Sequence, residues 1–340
     1  MSTSIRTNRI QIAGLPGRFA RIALARDQLA AVTDDCVLCL CTDLRRSVPS
    51  VRSLARLEGM PSALSLSPSG GHVLIRDPEG RCAVVREVAR EAAPLEFGGA
   101  EVLPGRVVAS LTTNDEGDVL LISQRDRELE AYLLDGARRL FQASFHRPLA
   151  FYVDSLCATF SDHDTFFVIG HLGGEGNDSV VRFSIRALAS QVEAATRVFA
   201  SSQRIQDYAS RLAVGPCEPD QVVIFRDSGD DEDPADTEEE PKDAREELWG
   251  HNGFYVRRLE DGALIEKIPI DLPLLRSGAP LVGTSSVIAA VCPDRVEIIP
   301  RRAGAPRATI RGRAFSLDTE AARLAVVTLD GHLDIIDLPQ

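Results

Sequence analysis

Along this chain apolar residues alternate with polar ones, or run together for five to eight positions, in short stretches parted by Gly, Asp, Asn and Pro. Alternation with a period of two predicts half-buried strands, and aliphatic runs of that length predict strands covered on both faces. Outside Ala187–Ala195 no stretch carries a convincing helical period. The pattern predicts an all-β chain.

The predicted strands come in groups. ALSLSPSGGHVLIRDPEGRCAVVREV from Ala63 reads as a strand, a polar turn, a second strand, another turn and a third strand. The same order recurs from Arg21, Val107 and Ala314, and shorter versions begin near Ser155, Ala209 and Leu281. A looser fourth strand follows two of the groups, as VRSLARLEG and RRLFQASF. Ile22, Leu64, Val108, Leu156, Leu212, Val282 and Phe315 mark equivalent points, with spacings of 42, 44, 48, 56, 70 and 33 residues. The 70 contains a polar insertion of about 22 residues, and its removal restores a period typical of propeller blades.

The last group ends at Leu338 after three strands, while Arg9–Ala13 (RIQIA) is a spare strand before the first group. Lending that strand to the last group would close a ring. The expected fold is a seven-bladed β-propeller with the N-terminal strand closing the last blade, as one domain over residues 1–340.

Charge changes this picture in one place. The chain has 38 basic and 50 acidic side chains, a formal net charge of −12. Asp227–Glu247 alone holds twelve acids against Lys242 and Arg245, which leaves the rest close to neutral. This stretch has no apolar period and includes Pro234 and Pro241. It is expected to be an acidic disordered loop, residues 227–248, inserted in blade 5. Lys242 and Lys267 are the only lysines, and an Arg-, Ala- and Asp-rich composition of this kind points to a bacterial source.

With 44% apolar and 26% charged residues, the chain can bury a sizeable core. No apolar run approaches a membrane span, no apolar leader opens the sequence, and the seven cysteines are an odd number. These features predict a cytoplasmic protein with reduced thiols and no membrane partner. Net acidity and the lack of a basic, aromatic-interleaved tract argue against nucleic acid.

Ser67-Pro68-Ser69-Gly70, and Asp330-Gly331 before a strand ending Ile336-Asp337, carry a family resemblance. They resemble the tryptophan-aspartate (WD) repeat propellers, whose blades have a Ser-Pro-Asp-Gly turn and a strand ending in Trp-Asp. The match is divergent: it spans the rhythm of all seven groups but few identities, and the one tryptophan, Trp249, precedes Gly. The resemblance implies a platform for protein–protein contacts, without catalysis and without the family's Asp–His–Ser–Trp network.

Candidate chemistry is sparse. Cys36-x-x-Cys39-x-Cys41 has three thiols, but on a strand Cys36 faces away from the other two, so buried free cysteines are expected. Asp162-His163-Asp164 reads as a polar turn. The loop after His171, LGGEGND, lacks a Lys and leads into a strand, unlike a phosphate cradle; Glu175, Asn177 and Asp178 offer oxygen donors for calcium. No hydrolase signature is present, and the six histidines are scattered over different groups. No cofactor or metal site is expected. Arg138-Arg139, Arg257-Arg258 and Arg301-Arg302 suggest solvated outer strands, or a ring drawing in an acidic partner such as the chain's own acidic loop.

The acidic tract is either a tolerated insertion or a tether for a protein with a basic surface. Asp230, Asp231, Glu232, Asp233, Glu238, Glu239 and Glu240 would steer such a partner, and Trp249 would anchor it. Phe254 and Tyr255 follow on a strand, so that one of them should enter the core. The function expected is a non-enzymatic interaction scaffold or regulatory subunit of a bacterial cytoplasmic complex, monomeric on its own. The alternatives are a propeller hydrolase or lyase with a metal in the central channel, and a small-ligand sensor.

Overall fold

A computed structural model describes residues 6–10, 18–46, 49–67, 70–86, 211–218, 220–227, 253–258, 263–270, 279–302, 304–318 and 321–340, together with Leu275 and the strands between residues 95 and 197. For those intermediate strands only backbone and register are described. No helix occurs among the described residues.

After β1 (Arg6–Ile10), the chain lays down its strands in fours. The first sheet is β2 (Phe19–Ala25), β3 (Gln28–Thr33), β4 (Val37–Thr42) and β5 (Ser50–Arg56). The second is β6 (Ala63–Leu66), β7 (His72–Arg76), β8 (Cys82–Arg86) and β9 (Leu95–Glu96). The third is β10 (Arg106–Thr112), β11 (Asp118–Arg125), β12 (Glu128–Asp135) and β13 (Arg138–Ser144). The fourth is β14 (Phe151–Phe160), β15 (Thr165–Leu172), β16 (Asn177–Ser184) and β17 (Ala195–Arg197). The fifth is β18 (Arg211–Pro216), β19 (Gln221–Asp227), β20 (Gly253–Arg258) and β21 (Leu264–Pro269). The sixth is β22 (Leu281–Gly283), β23 (Val287–Val291), β24 (Arg295–Pro300) and β25 (Ala308–Arg311). β26 (Ala314–Asp318), β27 (Arg323–Val327) and β28 (Leu333–Asp337) form a further sheet with β1 at its edge, in the order β1-β28-β27-β26.

The equivalent points read from the sequence fall one in each first strand. Ala187–Ala195 lies outside the described residues, except that Ala195 opens β17.

β1 begins three residues before RIQIA, at Arg6, and Gln11–Ala13 of that stretch lie outside the described residues. Arg6 opposes Asp337 and Arg9 opposes Asp334, and Ile10 closes the register against Leu333. Arg9 donates to both carboxylate oxygens of Asp334, at 2.8 and 3.0 Å. Opposite charges directly across a strand pair favour a register. The Arg9–Asp334 pair favours the observed register.

Neighbouring sheets pack face to face. Ile22, Leu24, Leu29 and Cys41 of the first sheet share a core with Ala325, Val327, Leu333 and Ile335. Val32, Leu38 and Leu40 meet Val73, Ile75 and Val85 of the second. Further cores join the fifth sheet to the sixth and the sixth to β26–β28. Each fully buried leucine, such as Leu29 or Leu74, contributes about 1.5–3 kcal/mol.

Continuous runs such as Leu29–Val32 of β3, Leu38–Cys41 of β4 and Val222–Phe225 of β19 are therefore buried throughout. This corrects the expectation for Phe254 and Tyr255. They point to opposite faces of β20, yet both are buried, Phe254 in the core shared with the sixth sheet. The Phe254 ring lies 5.1 Å from that of Phe225. At Gly215 a side chain would sit 2.1 Å from the Leu281 carbonyl oxygen, so β18 and β22 approach at backbone distance.

In each sheet the first and second strands, and the third and fourth, turn at one end, called here the ab end. The second and third turn at the other, the bc end, where the chain also crosses to the next sheet.

Candidate interaction surface

The two ends differ in what their charged residues do. At the ab end they bridge sheets. The backbone N–H of Arg26 donates to Asp318 at 2.5 Å, and Arg323 donates to the Arg26 carbonyl at 2.8 Å and to Asp27 at 3.0 Å. Arg323 also holds Asp337 at 2.7 Å, and Arg45 holds Asp27 at 2.8 Å. Thus β2–β5 and β26–β28, far apart in sequence, are joined by ion pairs at the turns.

Arg301 does the same between the fifth and sixth sheets. It donates to Glu266 at 2.6 Å and to the Thr284 carbonyl at 2.9 Å, and it approaches the Cys217 sulfur at 3.5 Å. Its side chain is only 12% exposed. Next to it, Thr284 and Ser286 donate their hydroxyl protons to the carbonyls of Pro339 and Gln340, both at 2.5 Å. The segment after β28 is thereby tied to the sixth sheet.

These placements revise the reading of the arginine pairs. Arg257-Arg258, Arg301-Arg302 and Arg138-Arg139 all flank third-to-fourth strand turns, as does Arg45-Arg46, which the sequence reading passed over. Arg301 is consumed by the sheet junction, and burial lowers the pKa of Arg257 from its ordinary value. Arg302 and Arg258 are exposed. The first member of each of these two pairs is drawn inward; for Arg257-Arg258, both on β20, this follows from strand alternation.

At the bc end, contacts close single hairpins. Asp77 accepts the Arg81 backbone N–H at 2.8 Å and pairs with its guanidinium at 2.5 Å. Burial alone would raise the Asp77 pKa, but the bonds from Arg81 bring it below the ordinary value. Thr33 accepts the Val37 N–H at 3.2 Å. Thr328 accepts the His332 N–H at 3.0 Å and donates its hydroxyl proton to Asp330, whose other oxygen lies 3.5 Å from His332. Asp34, Asp35, Glu79, Asp294 and Asp330 are exposed or partly exposed there, and Leu329 is 59% exposed.

The acidic tract belongs to this end. β19 stops at Asp227 and β20 begins at Gly253, with Arg226 opposite Gly253 in the register. A side chain at Gly253 would lie 2.4 Å from the Ile268 carbonyl oxygen, so the chain can re-enter the sheet here only as glycine. Asp230, Asp231, Glu232, Asp233, Glu238, Glu239, Glu240 and Trp249 lie outside the described residues. The tract leaves the fifth sheet one strand length, roughly 20 Å, from its arginine-rich end.

The remaining sequence candidates resolve as follows. Cys39 and Cys41 are buried on β4, and burial pushes the Cys41 thiol up to about 12, so it stays protonated at neutral pH. Cys36 sits in the preceding turn with φ 59°, and all three thiols are free. Among residues whose side chains are described, no group of three or more His, Cys, Asp or Glu is placed for a metal ion. Asp162-His163-Asp164 lies outside the described residues. Ser67 is buried and accepts the His72 N–H at 3.1 Å, holding the second sheet's first turn. Ile336 is in the core, while Asp337 faces out to Arg323.

Comparison with known proteins bears on the fold. No protein-family model matches the chain, and no curated protein matches it. Among solved structures, U3-55K is similar with a TM-score of 0.57 and 10% identity over 98% of both chains. The RRP9 WD40 repeats give 0.57 and 10%, over 99% of this chain and all of that one. The WD40 β-propeller domain of Doa1 gives 0.55 and 12%, over 99% and 98%. The chain has an all-β fold similar to WD40-repeat propellers, across nearly its full length.

Proposed function

From that WD40-type fold, we propose that the chain is one seven-bladed propeller closed through β1, acting as a non-enzymatic protein-interaction scaffold. Its setting is a regulatory or organising role in a bacterial cytoplasmic complex. Several features support the closed ring: first strands touching in series from β26 through β2, β6, β10, β14 and β18 to β22, and the pairing of β1 with β28. On this reading residues 1–340 are a single domain, with residues 227–248 inserted in blade 5.

One observation carries the choice of surface. Arg301 and Arg323 at the ab end are spent on joining sheets, whereas the bc end has exposed acids, an exposed Leu329 and the base of the acidic tract. The partner is therefore a protein with a basic surface, steered onto the bc end by the tract. The tract and the arginine pairs leave opposite ends of their sheets, which disfavours the tract as a ligand for its own arginines.

The test uses a partner captured by the full-length protein from its native host. Association is compared between the parent and a variant lacking residues 228–248, which keeps Asp227 in register with Arg211. Several-fold slower association of the variant at low salt, converging with the parent at high salt, is the expected outcome. Equal rates at every salt concentration would refute steering, and turnover of a substrate by the purified protein would refute the non-enzymatic role.

A further inference from the structure

The stretch from Arg295 to Arg313 holds six arginines against one acid, Glu297, in a chain whose formal net charge is −12. It builds the outer half of the sixth sheet, β24 and β25, and the exit toward β26. Arg295 donates to Glu297 at 2.5 Å and to Asp294 at 3.1 Å, and Arg307 donates to the other Glu297 oxygen at 2.9 Å. Arg301 is taken up by Glu266 of the fifth sheet. Arg302, Arg311 and Arg313 are exposed, and among the described residues none of the three has an acidic partner.

β25 is the outermost strand of its sheet. It pairs with β24 and, among the described residues, with no other strand. Ala308 and Ile310 pack toward the core shared with β26–β28, whereas Thr309 and Arg311 are exposed. Glu297 anchors the strand from the side of β24, accepting from the Thr309 hydroxyl at 2.7 Å as well as from Arg307. The register with β24 is unbroken, while β5 and β21, the outer strands of the first and fifth sheets, each carry a bulge. A bulge twists an edge away from further pairing. β25 therefore presents an anchored edge, with Arg307 just before it, Arg311 at its end and Arg313 just beyond.

Charge decides what can add to that edge. Arg311 stands directly opposite Arg295, and like charges across a strand pair cost stability. Charged side chains on an edge discourage pairing with apolar or basic strands. An acidic strand instead brings the missing counter-charge, because a carboxylate can take two parallel bonds from one guanidinium.

We propose that β25 is a docking edge for an extended acidic segment of a partner protein, added as a fifth strand of the sixth sheet. In this mode backbone bonds to the edge supply affinity, and side-chain charge selects the strand. The inference stands independently of the bc-end reading, since it concerns the rim of one sheet and a partner segment of opposite charge.

The test uses the full-length protein and a blocked peptide of about eight residues that alternates Glu with Val, near the length of an ordinary strand. Calorimetry at low salt should show one peptide bound per chain, with affinity falling as salt rises. N-methylation of every peptide amide keeps the charge but removes the ladder donors, and should weaken binding about tenfold. Arg311→Gln with Arg313→Gln should also weaken it about tenfold, Arg311→Lys with Arg313→Lys should restore most of the affinity, and Arg21→Gln should leave it unchanged. No binding by the parent, or an affinity unaffected by N-methylation or by loss of both arginines, would overturn the proposal. Equal affinity for single-stranded DNA of the same charge would do so too. Binding that emerges only once residues 228–248 are removed would also overturn it, by giving the edge to the chain's own acidic tract.

Discussion

The ab and bc ends of the sheets are built from the same residue types and put them to different uses. At the ab end, Arg301 and Arg323 each reach a carboxylate in another sheet, and both are nearly buried. At the bc end, Asp77 and Asp330 satisfy their own hairpins and stay near solvent. Charge that crosses a sheet boundary is structure; charge that closes its own turn leaves a surface for something else.

The largest effect should come from a carboxylate bracing the sixth sheet. Glu297 is buried, and although burial would raise its pKa, hydrogen bonds from Arg307, Thr309 and Arg295 hold it at about 2. With the pKa lower in the folded state than the ordinary 4.5, its contribution is complete above about pH 4.5 and fades as pH falls toward 2. The loss over that window should be on the order of 3 kcal/mol in denaturant unfolding, and Glu297→Gln should flatten the profile. A parent curve as flat as that of the variant would remove Glu297 from the account.

Next come the arginines that bridge sheets. Arg301→Ala and Arg323→Ala should each cost about 2 kcal/mol by chemical denaturation, because each strands a partner carboxylate or carbonyl. At the other end, Asp77→Ala should cost only about 0.5 kcal/mol, as solvent-screened ion pairs and turn bonds do, and Asp330→Ala less still. Equal losses at the two ends would erase the distinction. The smallest effect belongs to removal of residues 228–248, which should move the melting temperature by less than about 2 °C, since long surface insertions cost little.

How far the sequence foretold this depends on the range of the interaction involved. Alternation and spacing placed Ile22, Leu64 and their counterparts on first strands because strand formation and turns are local. The outward and inward roles within Arg257-Arg258 follow from the same alternation. Tyr255 was harder: a period of two assigns it to a face, but only knowledge of packing on both faces buries it. The Arg323–Asp27 and Arg9–Asp334 pairs join residues 296 and 325 positions apart, and no local pattern marks them.

The central claim is that the bc end takes up the partner while the ab end holds the sheets together. Hydrogen exchange of the full-length protein, with and without its captured partner, tests it directly. Protection is predicted at residues 33–37, 76–82 and 327–333, with residues 42–46 and 300–307 unchanged. Protection confined to residues 42–46 and 300–307 would contradict the account.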